Sequence, residues 1–229
     1  MKTIGLLGGL SWESTVVYYR EINRLVGKSL GGYHSAKIIL NSLEFAELED
    51  MMQKGSWPEI QRILIEGARV IEDAGADFLL ICSNTMHRNE MVIRENIDIP
   101  VLHIADATAE VLIRDGISKV GLLGTTFTME QDYYKGRLKE KFGLDVIVPP
   151  KSERERVHAI IDEICMGETN EKSKADYQRI IRNMAKRGAE AVILGCTEIG
   201  ILIKDGEADV PLYDTAIIHS QAAVKMAIE

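Results

Sequence analysis

The chain carries one order of segments twice. GLLGGLSWESTVVYYREI, starting at Gly5, returns as GLLGTTFTMEQDYYKGRL at Gly121, a displacement of 116 residues. GADFLLICSNTM at Gly75 returns as GAEAVILGCTEI at Gly188 after 113, and DIPVLHIADA at Asp98 returns as DVPLYDTAII at Asp209 after 111. Three blocks in the same order, with slowly drifting spacing, describe two copies of one unit rather than a solenoid, whose repeats run to roughly 20 to 50 residues. A chain of 229 residues then divides into halves close to the usual domain size. The expected division is 1–105 plus 215–229 for the first domain and 106–214 for the second, with the last helix (216–228) crossing back to the first.

Short apolar runs at 2–8, 36–43, 77–83, 101–104, 119–124, 144–149, 191–195 and 211–214 alternate with segments of helical period. Runs apolar on both faces suit a parallel sheet covered by helices on both sides. One helix is expected over 59–74, with Ile60, Ile63, Leu64, Gly67, Ala68 and Ile71 on its stripe. Ser56 and Glu59 are spaced as a capping box, Pro58 sits in the first turn, and Gly75 marks the stop. Its counterpart places Tyr177, Ile180, Ile181, Met184 and Ala185 on a stripe before Gly188. The fold class is therefore α/β: two duplicated doubly wound parallel-sheet domains related by a pseudo-two-fold axis, with an active site in the cleft between them. Residues 149–175, polar and poorly periodic outside 157–165, are expected to form a lid or mobile edge.

The net charge of −8 opposes nonspecific nucleic-acid binding, which needs a basic face. Three cysteines without a C-x-x-C pair fit a reducing compartment. No apolar run approaches the ~20 residues of a membrane span, and the N-terminus runs straight into a strand and a glycine turn. A cytoplasmic location is expected. The GLLGG turn lacks the G-x-G-x-x-G fingerprint and no Walker lysine follows it, so nucleotide binding is a weak reading.

In such sheets, ligands meet the carboxyl ends of strands. Both copies place polar residues there: Ser83, Asn84 and Thr85 in one, Cys196, Thr197 and Glu198 in the other. The turns after the first strands supply Leu10 and Ser11, and Thr125 and Thr126. Cys196 falls opposite Ser83 in the duplication. Cys82, one residue earlier, is expected to face the core because strand neighbours alternate sides. His87 and His219 each read more readily as structural histidines than as reactive ones. No cluster of His, Asp or Glu has the spacing of metal ligands.

GGLSWEST followed by Tyr-Tyr, SNTMH at 83–87, HIADAT at 103–108, LLGTTFTMEQDYY, and GCTEIG at 195–200 together resemble the cofactor-independent aspartate/glutamate racemase family, nearly end to end. In that family, each of two α/β domains contributes a thiol, one in a C-N-T segment and one in G-C-T-E. By position the resemblance implies Ser83 and Cys196 as the catalytic pair, with a hydroxyl where the family has its first thiol. Cys196 would remove the α-proton on the L-face and Ser83 would reprotonate the other, favouring conversion from L to D. Leu10, Asn84, Thr85, Thr125, Thr197 and Glu198 would hold the substrate. Neither cofactor nor metal is implied. The partner is a small-molecule amino acid, aspartate and/or glutamate, without nucleic acid or membrane, and the assembly considered is a homodimer. A side-chain-binding lysine of some members is matched here by Cys165. Rival readings are a lyase resembling arylmalonate decarboxylase that uses Cys196 alone, a non-catalytic amino-acid-binding protein, and a hydrolase pairing Cys196 with His219.

Overall fold

The structure, a computed structural model, describes residues 1–197, 199–204 and 206–229, with residue 201 described by its backbone alone. It shows an α/β fold built from two duplicated doubly wound units. Residues 1–104 with 219–229 form one compact unit and residues 105–218 the other. The chain leaves the first within the helix Ile104–Arg114 and returns within the helix Thr215–Ile228.

In the first unit, strands β1 (Ile4–Gly8), β2 (Ile38–Ser42) and β3 (Phe78–Ile81) form a parallel sheet in the order β2-β1-β3. In the second, β4 (Lys119–Gly124), β5 (Asp145–Ile147), β6 (Ala191–Gly195) and β7 (Leu212–Asp214) form a parallel sheet in the order β5-β4-β6-β7. The duplication extends to register. Gly5 pairs with Leu79 and Gly121 with Val192; Leu79 meets Val101 as Val192 meets Leu212. Every residue of β1, β3 and β6 is buried, as a sheet covered on both faces requires.

Three expectations need correction. The run 101–104 makes only an isolated bridge at Val101, because the chain turns into a helix at Ile104. The helix expected over 59–74 spans Trp57–Asp73, but Ser56 makes no side-chain cap bond, so the capping box does not form. Ser56 is already committed to the preceding helix (Phe45–Lys54), its N–H donating to Met51 O at 2.9 Å, and its φ/ψ of −77/55° is not the extended geometry an N-cap needs.

The third concerns 149–175. This segment contains the helix Lys151–Cys165 and the start of the helix Glu171–Lys186, and both are anchored in the core of their unit. Val157, Ile160, Ile161 and Ile164 bury one face of the first; Tyr177, Ile180, Ile181 and Met184 bury one face of the second. Each fully buried aliphatic side chain contributes about 1.5–3 kcal/mol. Arg156 ties the pair together, its guanidinium reaching Asp176 at 2.9 Å, Glu163 at 2.8 Å and Ser173 at 3.0 Å. The Ser173 hydroxyl first, then Arg156, holds the Glu163 carboxyl below its ordinary range. The polarity that suggested a lid belongs to this ion-pair network on the outer face of the helices.

Candidate active site

In each sheet, the chain runs from the first strand to one side and resumes on the other, so the connections diverge between β1 and β3, and again between β4 and β6. Such switch points open a crevice at the carboxyl ends of the strands. All the described candidate residues lie there, in two groups.

In the first unit, β1 ends in a tight turn. Gly9 has φ +71°, and an added Cβ would collide with the main chain of Leu43, so only glycine fits. Ser11 has φ +66°, and among the described residues no other non-glycine residue has a positive φ. A residue held there costs about 1–3 kcal/mol, which the surroundings must offset. They do so through Thr15, whose hydroxyl accepts the Gly9 N–H at 2.9 Å and donates to Ser11 O at 3.2 Å. Ser14 donates to Cys82 O at 3.2 Å and joins this turn to the end of β3. Leu10 is buried within the same turn.

Beyond β3, Cys82 and Ser83 separate sharply. Cys82 is fully buried, and burial pushes its thiol far above the usual range, so it stays protonated. Ser83 is half-buried; its hydroxyl oxygen accepts the Met86 N–H at 3.3 Å. Asn84 and Thr85 follow as buried polar residues.

The second unit repeats the pattern. The position matching Cys82 is Gly195, where an added Cβ would lie 2.8 Å from Leu123 O, so that side of the strand is closed by packing. Cys196, matching Ser83, is half-buried, and its carbonyl accepts the Ile199 N–H at 3.2 Å. Thr197 is buried. After β4, Thr125 caps the short helix Thr126–Glu130, its hydroxyl accepting the Thr128 N–H at 3.3 Å. Glu198 lies outside the described residues.

The sequence reading missed several neighbours. The helix Lys151–Cys165 packs against both short helices that follow β4 and β6, Thr126–Glu130 and Ile199–Leu202. Its His158 lies beside this end of the sheet, with Nδ1 at 3.5 Å from the Thr126 N–H. Cys196 packs against the core that contains Tyr177, whose hydroxyl is pushed well above its ordinary range by burial and then by the negative charge available on Cys196. Cys165 is exposed at the end of its helix. His158 and Tyr177 had only a helical stripe and a polar tract as signal, which do not distinguish them from ordinary packing.

His87 and His219 are buried in the first unit. His219 is held at both ring nitrogens, by the Tyr18 hydroxyl at 2.8 Å and by Leu102 O at 2.8 Å. Neither nitrogen remains to serve Cys196 as a base, which removes the basis of the hydrolase reading. Among the described residues, no three His, Cys, Asp or Glu side chains come together as metal ligands, and no helix is long and apolar enough to cross a membrane.

Residues 7–223 match the family model described as Asp/Glu/hydantoin racemase. A Yersinia pestis protein described as a candidate Asp/Glu racemase is 46% identical, with a TM-score of 0.94 and complete coverage of both chains. An aspartate racemase homologue from Pyrococcus horikoshii OT3 is 35% identical, with a TM-score of 0.87, again over the whole of both chains. The broad specificity amino-acid racemase RacX of Bacillus subtilis is 24% identical over 72% of this chain and 71% of its own length.

Proposed function

The chain belongs to the Asp/Glu/hydantoin racemase family, and from that premise we propose that it is a cofactor-independent racemase of aspartate and/or glutamate, working by two-base α-proton transfer. The observation that carries this reading is the pairing of Ser83 with Cys196. They occupy matching positions after matching strands and are half-exposed, whereas the residues just before them, Cys82 and Gly195, are closed into the sheets. Inversion at Cα needs a base on one face and an acid on the other, and a duplicated fold supplies one group from each copy.

In the forward direction, the Cys196 thiolate takes the α-proton of the L-substrate, the C–H electron pair moves into the enolate, and Ser83 Oγ–H delivers a proton to the opposite face. The serine oxygen left behind is stabilised by the Met86 N–H it already accepts, and it recovers a proton as the thiol gives one up to reset the pair. Backbone groups of Leu10 and the polar groups of Asn84, Thr85, Thr125, Thr197 and Glu198 bind the carboxylates and the developing enolate charge. Proton NMR in D2O across L- and D-amino acids tests the proposal. Loss of the α-hydrogen signal confined to the acidic amino acids is the expected result, and no exchange with any amino acid overturns it. A single thiol at the paired positions also suits a lyase resembling arylmalonate decarboxylase, which would instead release carbon dioxide from malonates.

The unequal pair makes a second prediction. Racemisation has an equilibrium constant of one, so directionality can only be kinetic. Cys196 should deprotonate the L-enantiomer faster than Ser83 deprotonates the D-enantiomer, because a thiol titrates near 8.5 and a serine hydroxyl far higher. Ser83→Cys is expected to raise turnover of the D-enantiomer more than of the L-enantiomer, as read from initial rates by polarimetry. An unchanged ratio would show that Ser83 is not the weaker partner. Dialysis against a chelator is expected to leave wild-type rates intact, and recovery only on adding metal or pyridoxal phosphate would contradict the mechanism.

A further inference from the structure

Resting on the assignment of Ser83 above, we propose that His87 is the positioning residue of Ser83, a neutral imidazole locked in one tautomer. His87 Nδ1 lies 2.6 Å from Ser83 O, and Nε2 lies 3.2 Å from the backbone nitrogen of Ile104. A backbone N–H can only donate, so Nε2 is the acceptor and carries no proton. The proton is on Nδ1, which donates to the Ser83 carbonyl. One ring thereby spans from the reacting serine to the start of the next helix. Ser83 is fixed at two further points, its N–H on Ile81 O at 2.8 Å and its hydroxyl under the Met86 N–H at 3.3 Å.

A second histidine steadies the far end of this strut. His219 Nε2–H donates to Leu102 O, two residues before Ile104, and its Nδ1 accepts from the Tyr18 hydroxyl. The two buried rings therefore hold opposite tautomers, and both grip the segment 102–104. They lie 5.8 Å apart, with His103 at 4.6 Å from His87, so a second proton on His87 would face both of the other rings. Protonation of Nε2 on His87 would also replace an acceptor with a donor facing the Ile104 N–H, so the strut holds only as neutral imidazole.

The duplication sharpens the assignment. The position matching His87 in the second unit is Gly200, where an added Cβ would meet the Asp214 carboxylate. Among the described residues, such a strut exists only on the side that carries the hydroxyl. A serine transfers a proton poorly and depends more on exact placement than a thiol does, since a misplacement of about 1 Å can cost ~100-fold.

Nitrogen-15 NMR of the imidazole rings of the whole protein at pH 7 tests the tautomers. His87 is expected as Nδ1–H and His219 as Nε2–H; an Nε2–H or doubly protonated His87 overturns the proposal. Enantiomer-resolved exchange tests the consequence. His87→Ala is expected to slow α-proton exchange of the D-enantiomer at least about tenfold more than that of the L-enantiomer. His87→Asn, whose side-chain N–H can reach Ser83 O, should recover most of the loss, whereas equal loss for both enantiomers or no rescue by Asn overturns it. If no amino acid exchanges at all, it is the racemase reading that has failed, and the strut is then judged by the ring spectra with site-resolved alkylation of the thiol introduced by Ser83→Cys. That alkylation rate should change severalfold when His87→Ala is added, and an unchanged rate counts against the strut.

Discussion

Cys196→Ala is expected to abolish exchange of the substrate's α-proton, a loss of about a thousandfold or more, since a positioned acid or base contributes ~100- to 10,000-fold and no other thiol lies among the described residues at this strand end. Cys82→Ala, one residue before the matching serine, is expected to retain most activity. The two thiols differ in what surrounds them. Cys82 is sealed in the core and held protonated by burial, whereas Cys196 is half-exposed beyond the last residue of β6. Removing the Cys82 sulfur leaves a small cavity and costs stability, which thermal melting separates from catalysis. Equal loss of exchange in two folded variants would refute the distinction.

Acid is expected to unfold the first unit through His219. Burial first, then the neighbouring His87, pushes the His219 pKa from 6.5 down to about 3, against the smaller upward effect of its bond to Leu102 O. The folded protein refuses a proton that the unfolded chain accepts. The stability due to neutral His219 is complete above pH 6.5 and is lost as pH falls toward 3, by about 1.4 kcal/mol per pH unit. At pH 5 the loss is about 2 kcal/mol, a large part of the roughly 5–15 kcal/mol that stabilises a domain. Urea midpoints measured from pH 7.5 to 4.5 should fall through this window. His219→Gln should start from a lower midpoint but show a flatter slope. An equally steep slope in the variant would place the acid sensitivity elsewhere. Two carboxylates are also held low, Asp106, where burial acts upward but Arg137 and Lys141 together outweigh it, and Asp176 beside Arg156; they lose their contribution only at lower pH, through and below the ordinary carboxylate range.

That Cys82 faces the core and Ser83 does not could be read before any coordinates, because strand alternation and the duplication both point that way. The matching of Cys82 with Gly195, both closed into their sheets, is the structural form of that argument. The lid could not be read correctly. Residues such as Arg156, Glu163 and Asp176 look like a solvated polar tract in one dimension, and only the packing of two helices makes them partners. The capping box at Ser56 failed for a similar reason: the motif was present, but the turn before it had already claimed the backbone.

The parallel, two-sided burial of the sheets and the two matched strand ends follow from the repeated pattern of apolar runs and glycine turns, because burial on both faces constrains any chain that carries them, whereas the spatial order of the strands emerges only in the structure. The role of His87 and His219 does not. Leu102, Ile104 and Tyr18 lie far from one or other of these rings in sequence, and a histidine's tautomer depends on which backbone groups reach its two nitrogens. That is decided only when the last helix closes against the first unit and takes both rings out of water, where each nitrogen must find a partner and a charge becomes costly.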